Sequence, residues 1–243
     1  MALAFCEQHR PLLLLSSRPW NTALGDRLSS LLSLPILTIS TPEELTSAAV
    51  ADINPQWIFV PYWSHLIPRS IWAQWPTVIF HMTDLPYGRG GSPLQNLIQR
   101  GHESTMLTAL RCGAELDAGD IYLKESLSLY GSAEEIFLRA DALIERMIER
   151  IVRENPELQP QCGDPVLFTR RTPEQSDLAT CPNGDLGAWY DLIRMLDAEG
   201  YPHAFLEAHG MQLEFRRVCK RSDGLYADVK IKPIPSSRLG KTG

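Results

Sequence analysis

The chain lacks the signatures that most often announce a cofactor. No G-x-G-x-x-G follows the first strand-like stretch and there is no P-loop, so nicotinamide and ATP find no support. No serine or cysteine sits in a G-x-S-x-G elbow, which leaves covalent acyl-enzyme chemistry without its nucleophile. The five cysteines (Cys6, Cys112, Cys162, Cys181, Cys219) are odd in number and widely spaced, with no C-x-x-C pair. Neither a zinc knuckle nor a disulfide framework follows from them, and no metal is expected. Positive charge is also short: 23 Lys and Arg against 29 Asp and Glu give a net charge of −6 over 243 residues. Nucleic acid is therefore not the expected partner. The longest apolar run, Trp57 to Trp63, falls far below the roughly 20 residues needed to cross a bilayer, so no membrane partner is expected. Arg10 and Leu12–Leu15 resemble the start of a signal peptide, but Ser16, Ser17, Arg18 and Pro19 offer no small-residue cleavage site. The expected setting is the reducing cytoplasm.

What is present is an ordinary globular composition, 44% hydrophobic and 21% charged, with alternating element signals. Pro11–Ser17, Ile36–Ser40, Trp57–Pro61 and Thr77–His81 read as strands. Asn21–Leu32, with Leu24, Leu28, Leu31 and Leu32 on one face, reads as a helix, and Ser70–Trp75 as a short one. Thr41-Pro-Glu-Glu carries an N-cap, a proline and first-turn acid, so a helix is expected to start there. This β-α-β-α-β order predicts an α/β, doubly wound, mostly parallel Rossmann-like sheet. Further elements are a helix over Pro93–Gln99, strands over Met106–Leu110 and Ile121–Ser128, and a long helix over Ser132–Glu154 opened by a capping box of Ser132 and Glu135. Asn155–Pro165 reads as a surface linker. A helix over Leu186–Asp197 and strands over Ala204–Glu207, Met211–Val218 and Leu225–Ile231, with a turn at Asp223-Gly224, follow. The expected domains are a catalytic one over 1–180, a small C-terminal α+β hairpin subdomain over 181–235 and a disordered tail over 236–243.

Two constellations carry chemistry. The first is His81-Met-Thr-Asp-Leu-Pro-Tyr-Gly-Arg-Gly-Gly-Ser-Pro93. A histidine at a strand's carboxyl end sits where an open α/β sheet exposes its ligands, and its ordinary pKa of about 6.5 suits proton transfer. Gly88, Gly90 and Gly91 allow either a tight turn or close approach to a ligand. Ser92-Pro93 opens a helix whose N–H groups favour an anion, and Arg89 is either a phosphate clamp or a solvated charge. The second is Leu116-Asp117-Ala-Gly-Asp120, which forms either an Asx-type turn or an acid that orients a histidine.

His81-x-Thr-x-Leu-Pro-x-x-Arg-Gly-Gly-x-Pro, followed by Leu116-Asp-x-Gly-Asp-Ile with Asp117 lying 36 positions after His81, resembles the folate-dependent formyltransferases. Phe168-Thr-Arg-Arg-Thr-Pro-Glu and Leu192-Ile-Arg-Met-Leu-Asp, with Tyr201-Pro-x-Ala-Phe beyond, resemble later segments of that family. The resemblance implies N10-formyltetrahydrofolate as co-substrate, His81 as general base or oxyanion partner, and Asp117 as the acid beside it. It further implies a folate pocket of Tyr62, Trp63, Ser64, Leu66 and Ile67 with Cys112, Gly113, Ala114 and Leu116. Thr83, Arg89, Gly90, Gly91 and Ser92 would face the acceptor. One departure stands out: the family's asparagine two positions before the histidine is Ile79 here. Thr83, Ser64, His65 or a loop N–H would then have to serve as oxyanion donor, and Ile79 is expected to line the site beside His81 rather than the core.

The narrower resemblance is to nucleotide-sugar N-formyltransferases of the pseudaminic acid type, acting on UDP-4-amino-4,6-dideoxy-N-acetylaltrosamine. A methionyl-tRNA formyltransferase-like enzyme would call for a basic surface and a larger C-terminal domain than the 46 residues after Asp197. Ile79 keeps open a third reading, a weak or inactive folate- or nucleotide-sugar-binding homologue. A homodimer is compatible with each. The stripe of Leu143, Ile144, Met147, Ile148 and Ile151 is expected to be core.

Overall fold

The computed structural model describes residues 10–18, 21 and 23–234; Cys6 and the tail over 236–243 lie outside them. The chain forms two compact units whose segments alternate in sequence. One runs up to Arg89 and takes in Met106–Ser126 and Leu138–Leu167; the other holds Gly90–Thr105, Leu127–Phe137 and the described chain from Phe168. No helix of the described residues is long and apolar enough to cross a membrane.

The first unit is built on β1 (Leu12–Ser16), α1 (Leu24–Leu32), β2 (Ile36–Ile39), α2 (Ser47–Ile53), β3 (Trp57–Tyr62), α3 (Arg69–Trp72) and β4 (Thr77–His81). After a short β5 (Tyr87–Gly90) and α4 (Pro93–Gln99) come β6 (Ser104–Arg111), β7 (Ile121–Ser128) and α5 (Ala133–Glu154). The six-stranded sheet has the order β2-β1-β3-β4-β6-β7. β1 pairs in parallel with β2 and β3, and β3 with β4, while β6 is antiparallel to β4. β1 reads Leu-Leu-Leu-Leu-Ser and is buried throughout, as a parallel strand covered on both faces must be. The chain leaves β1 toward β2 and returns on its other side to β3, so the sheet reverses its winding between β1 and β3. Such a switch point opens a crevice beyond the strand carboxyl ends. Here Ser17 N–H donates to Tyr62 O at 3.1 Å, which places the Tyr62–Pro68 loop at that crevice.

The expected helix start at Thr41 fails for an identifiable reason. The Glu44 carboxylate accepts the N–H groups of Ser40 and Thr41 at 3.2 and 3.3 Å, folding Thr41–Glu44 into a turn. The helix starts later, at Ser47, where Thr46 Oγ1 accepts from Ala49 N–H. In α1 only Leu24 and Leu28 are buried and Leu31 is exposed; Ser33 turns left-handed (φ 55°) and ends the helix. The capping box does form, with Ser132 N–H donating to Glu135 Oε2 and Glu135 N–H to Ser132 Oγ. Leu143, Ile144, Met147, Ile148 and Ile151 of α5 are buried core.

The second unit contains α4, α6 (Leu186–Arg194) and an antiparallel sheet of β9 (Phe205–Ala208), β10 (Met211–Arg221) and β11 (Gly224–Pro233), ordered β11-β10-β9. Gln95 Nε2 donates to Met195 O at 3.1 Å, fixing α4 to the end of α6. Trp189 of α6 meets Phe215 of β10 edge-on. β5 (Tyr-Gly-Arg-Gly) is too glycine-rich, and its partner β8 (Val166–Phe168) too short, to show a strand period in the sequence.

A buried acid ties α1 to α5. Asp141 accepts from Asn21 Nδ2 and from Arg27 NH2, while Arg27 Nε donates to Glu145 Oε2 at 2.6 Å. Burial nevertheless outweighs these partners and raises the Asp141 carboxyl above its ordinary range. A raised acid favours the folded state below its unfolded pKa of about 4 and loses that contribution as pH rises through the folded value. Melting curves from pH 4 upward should therefore show a falling component that Asp141→Asn removes. Parallel pH profiles for the two proteins would contradict it.

Candidate functional site

His81 ends β4 at the carboxyl edge of the parallel strands and is only 7% exposed. Its Nε2 lies 2.8 Å from Gly88 O. A carbonyl only accepts, so Nε2–H donates to it, and Nδ1 is the nitrogen turned toward Asp117, 3.6 Å from Oδ2. Asp117 is equally buried, and its left-handed backbone (φ 51°) is one that aspartate tolerates better than most residues. With the proton on Nε2, the Nδ1 lone pair faces a carboxylate. One added proton would turn that contact into a charge-assisted hydrogen bond.

The cradle around the imidazole is built from the chain inward. Thr83 Oγ1 donates to the same Gly88 oxygen at 3.3 Å, and Thr108 Oγ1, on the strand opposite His81, donates to Thr83 O at 2.7 Å. Lys124 Nζ donates to Asp84 Oδ1 and Leu85 O, fastening the loop after β4. Asp117 sits in a turn that only glycine can close: a Cβ on Gly119 would stand 1.8 Å from Arg111 O. Arg111 N–H donates to Asp120 O at 2.8 Å across the same turn.

Each expected site residue has a definite place. His81 and Asp117 come together. Thr83 is fully buried (0% exposed) with its hydroxyl on Gly88 O, so it belongs to the histidine's support and not to an acceptor contact. Arg89 is half-buried, and its Nε and NH2 donate to Gln161 Oε1 at 3.1 and 2.7 Å. Gly90, Gly91 and Ser92 lie in the other unit, where the need for glycine is met by backbone. A Cβ on Gly90 would stand 2.4 Å from Phe168 O, and one on Gly91 would stand 2.5 Å from Arg170 Cβ. Gly91 N–H donates to Phe168 O, so that donor is taken within the fold, and Ser92 Oγ accepts from Arg171 N–H. The close approach that these glycines allow is thus made by the Phe168–Arg170 segment of the chain itself.

Of the residues expected to face folate and their neighbour His65, Tyr62, Trp63 and Ile67 are half-buried and Ser64, His65 and Leu66 are exposed, Leu66 at 88%. Cys112 is buried and Gly113 half-buried, while Ala114 and Leu116 are exposed, Leu116 at 64%. Ile79 is the one half-buried residue of β4: with Trp63 and Ile67 it packs against the cluster of Leu13, Leu15, Ile58, Val60 and Ile71, so its side chain is shared between the core and the cleft edge. An open cleft of about 380 Å³ is lined by Trp72, Ala73, Arg111, Cys112, Gly113, Gly119 and Asp120, a volume in the small-ligand range. The Cys112 thiol is pushed up to about 11, first by burial and then by the Asp117 charge, so it serves as an apolar wall and not as a thiolate. Two participants escaped the sequence altogether: the Gly88 carbonyl, since any residue offers one, and Gln161, a lone amide in a stretch that reads as a linker.

Residues 173–232 match the family model described as Methionyl-tRNA formyltransferase, C-terminal domain. The chain is 27% identical over 182 residues to the methionyl-tRNA formyltransferase of Campylobacter curvus (strain 525.92), covering 72% of this chain and 60% of that protein. It thus spans somewhat less than two thirds of the length of that curated relative. It is 42% identical to a solved methionyl-tRNA formyltransferase from Clostridium thermocellum, with a TM-score of 0.88, over 92% of this chain and 99% of that one. A sugar N-formyltransferase from Shewanella sp FDAARGOS_354 shares the fold at 15% identity and a TM-score of 0.66, over 86% of this chain and 98% of the other.

The turn carrying Asp117 makes a sharp test. Gly119→Ala should cost about 1–3 kcal/mol, as overpacking against fixed backbone does. Gly113→Ala, whose Cβ meets nothing within 4 Å, should leave the urea midpoint unchanged. Equal midpoints for both variants would refute the steric account.

Proposed function

Because the chain belongs to the folate-dependent formyltransferase family, we propose that it moves a formyl group from N10-formyltetrahydrofolate to the amine of a nucleotide-linked amino sugar. The observation that carries the chemistry is the buried pair of His81 and Asp117 at the carboxyl edge of the sheet, with Nδ1 and Oδ2 facing each other over 3.6 Å. The neutral amine attacks the formyl carbon, forming a C–N bond while the carbonyl pair moves to oxygen. Nε2–H is committed to Gly88 O, so the amine's proton passes to the side of the ring where Nδ1 faces Asp117. Collapse restores the carbonyl and breaks the bond to the folate N10, which leaves with that proton. Formylated amine and tetrahydrofolate result. Tyr62, Trp63, Ser64, Leu66 and Ile67, with Cys112, Gly113, Ala114 and Leu116, form the folate side in this reading. The exposed Leu66 and Leu116 offer apolar surface for a flat ring.

Charge supports a small acceptor. Within 173–232 ten acidic residues outnumber seven basic ones, and the whole chain carries −6, which disfavours a polyanion. Arg89 makes no ion pair among the described residues, its partner being the neutral Gln161, which leaves a cation suited to a phosphate. A UDP-linked 4-amino-4,6-dideoxy sugar is the first acceptor to supply. The methionyl-tRNA formyltransferase from Clostridium thermocellum, at 42% identity, favours a second reading with methionyl-tRNA as acceptor. Mass spectrometry of reactions with UDP- and dTDP-amino sugars and with methionyl-tRNA decides between them. Formylation of the tRNA alone would sink the sugar assignment, and folate binding without transfer to any amine would leave a binding protein.

His81→Asn and Asp117→Asn should each lower kcat roughly a hundredfold with the fold retained; near-normal turnover would remove that residue from the mechanism. Ile79→Asn should separate stability from chemistry. It places a polar amide against the core and should cost about 1–3 kcal/mol, while returning an oxyanion donor to the family's position and leaving kcat equal or higher. A sharp fall in kcat in the folded variant would show that the formyl group lies elsewhere.

A further inference from the structure

We infer that Gln161 is a positioning residue which ties together the two sides of the His81 cradle, an inference that rests on the formyl-transfer reading above. Its place is set by the backbone bridge just before it. Ile121 and Gln159 exchange backbone hydrogen bonds at 2.8 and 2.9 Å, pinning the segment after α5 to the start of β7. Two residues on, the Gln161 side chain reaches the catalytic turn. Its Nε2 donates to Asp117 O at 2.8 Å and to Gly119 O at 2.9 Å, while Oε1 accepts from Arg89 Nε and NH2. A primary amide has two N–H donors and two oxygen lone pairs, and all four are engaged. The orientation of the amide is fixed by chemistry as well, since carbonyls only accept and a guanidinium only donates.

The two ends of this bridge are the two supports of the imidazole. Arg89 directly follows Gly88, whose carbonyl holds Nε2–H; Asp117 supplies the carboxylate opposite Nδ1. Gln161 therefore sets how far apart these supports stand. Without it, two partly buried carbonyls of a left-handed turn lose their donors, and Arg89 loses its anchor. The Asp117 carboxylate is then free to drift from the ring, and small displacements of a catalytic group cost rate far more than stability.

The experiment compares Gln161→Met, of similar length but without hydrogen bonds, and Gln161→Glu, which still accepts from Arg89 but cannot donate to the turn. Cys162→Ala, at an exposed neighbour, is the control. Positioning predicts a kcat lowered roughly tenfold or more in both Gln161 variants, with KM for formyl-folate within about twofold. Nitrogen-15 NMR of the imidazole reads the cradle without turnover. The His81 titration midpoint should move by about half a pH unit or more in Gln161→Met and stay put in Cys162→Ala. An unchanged kcat and an unchanged His81 titration in folded Gln161→Met would overturn the inference. If Gln161→Met does not fold, Gln161→Glu decides by the same readouts. Should the unmodified protein transfer no formyl group, the His81 titration alone judges the positioning role, so failure of the functional reading and failure of this one remain distinct.

Discussion

A histidine ring held between a carbonyl and a carboxylate is the constraint on which the rest of the structure depends. Both acceptors are almost out of water, and an unsatisfied buried polar group costs about 1–3 kcal/mol, so the surrounding chain is organised to keep partners in place. Gly88 O takes two donors, from His81 Nε2 and Thr83 Oγ1. Thr83 is in turn held by Thr108 on the antiparallel β6. The parallel strands bring His81 to the edge where ligands bind, and the one antiparallel neighbour returns the chain so that its following turn can carry Asp117 alongside. Reversal of strand direction at β6 is thus a requirement of the pair's geometry.

The apolar side of the crevice follows a different logic. Ile79 stands two residues before His81 on one strand face, yet its side chain is shared with the core under α2 and α3. It cannot both fill that edge and donate a hydrogen bond. The chain uses this position for packing, with Trp63 and Ile67 as neighbours, and leaves polar work to the residues around the imidazole. Cys112 conforms: burial and the nearby Asp117 charge keep its thiol protonated, so it adds wall without adding a competing nucleophile.

Much of this could be read from the sequence because the signals were local. The apolar runs of β1 and β3, the period of α5 and the capping box of Ser132 and Glu135 each depend on residues a few positions apart, and the resemblance around His81 and Asp117 rests on short motifs. What escaped depends on distant chain. Glu44 looked like first-turn acid and instead caps two N–H groups behind it. Gly90 and Gly91 looked like a ligand loop, but what approaches them is the backbone of Phe168–Arg170, almost 80 positions on. Gln161 lies 44 residues from Asp117 and 72 from Arg89, so no window of sequence contains the bridge it makes.

The chemistry of that bridge also explains why an amide serves better than a carboxylate at position 161. Arg27 shows the alternative: its guanidinium is held by Asp141 and Glu145, and its charge is neutralised by them. Arg89 is held as firmly, by two N–H groups on one oxygen, but by a neutral partner. A carboxylate at 161 would quench the cation, and it would also turn an acceptor toward the carbonyls of Asp117 and Gly119, which need donors. A neutral amide satisfies the turn, fixes the guanidinium and leaves its charge uncancelled. That is the electrostatic condition a phosphate-bearing acceptor would require of this side of the site.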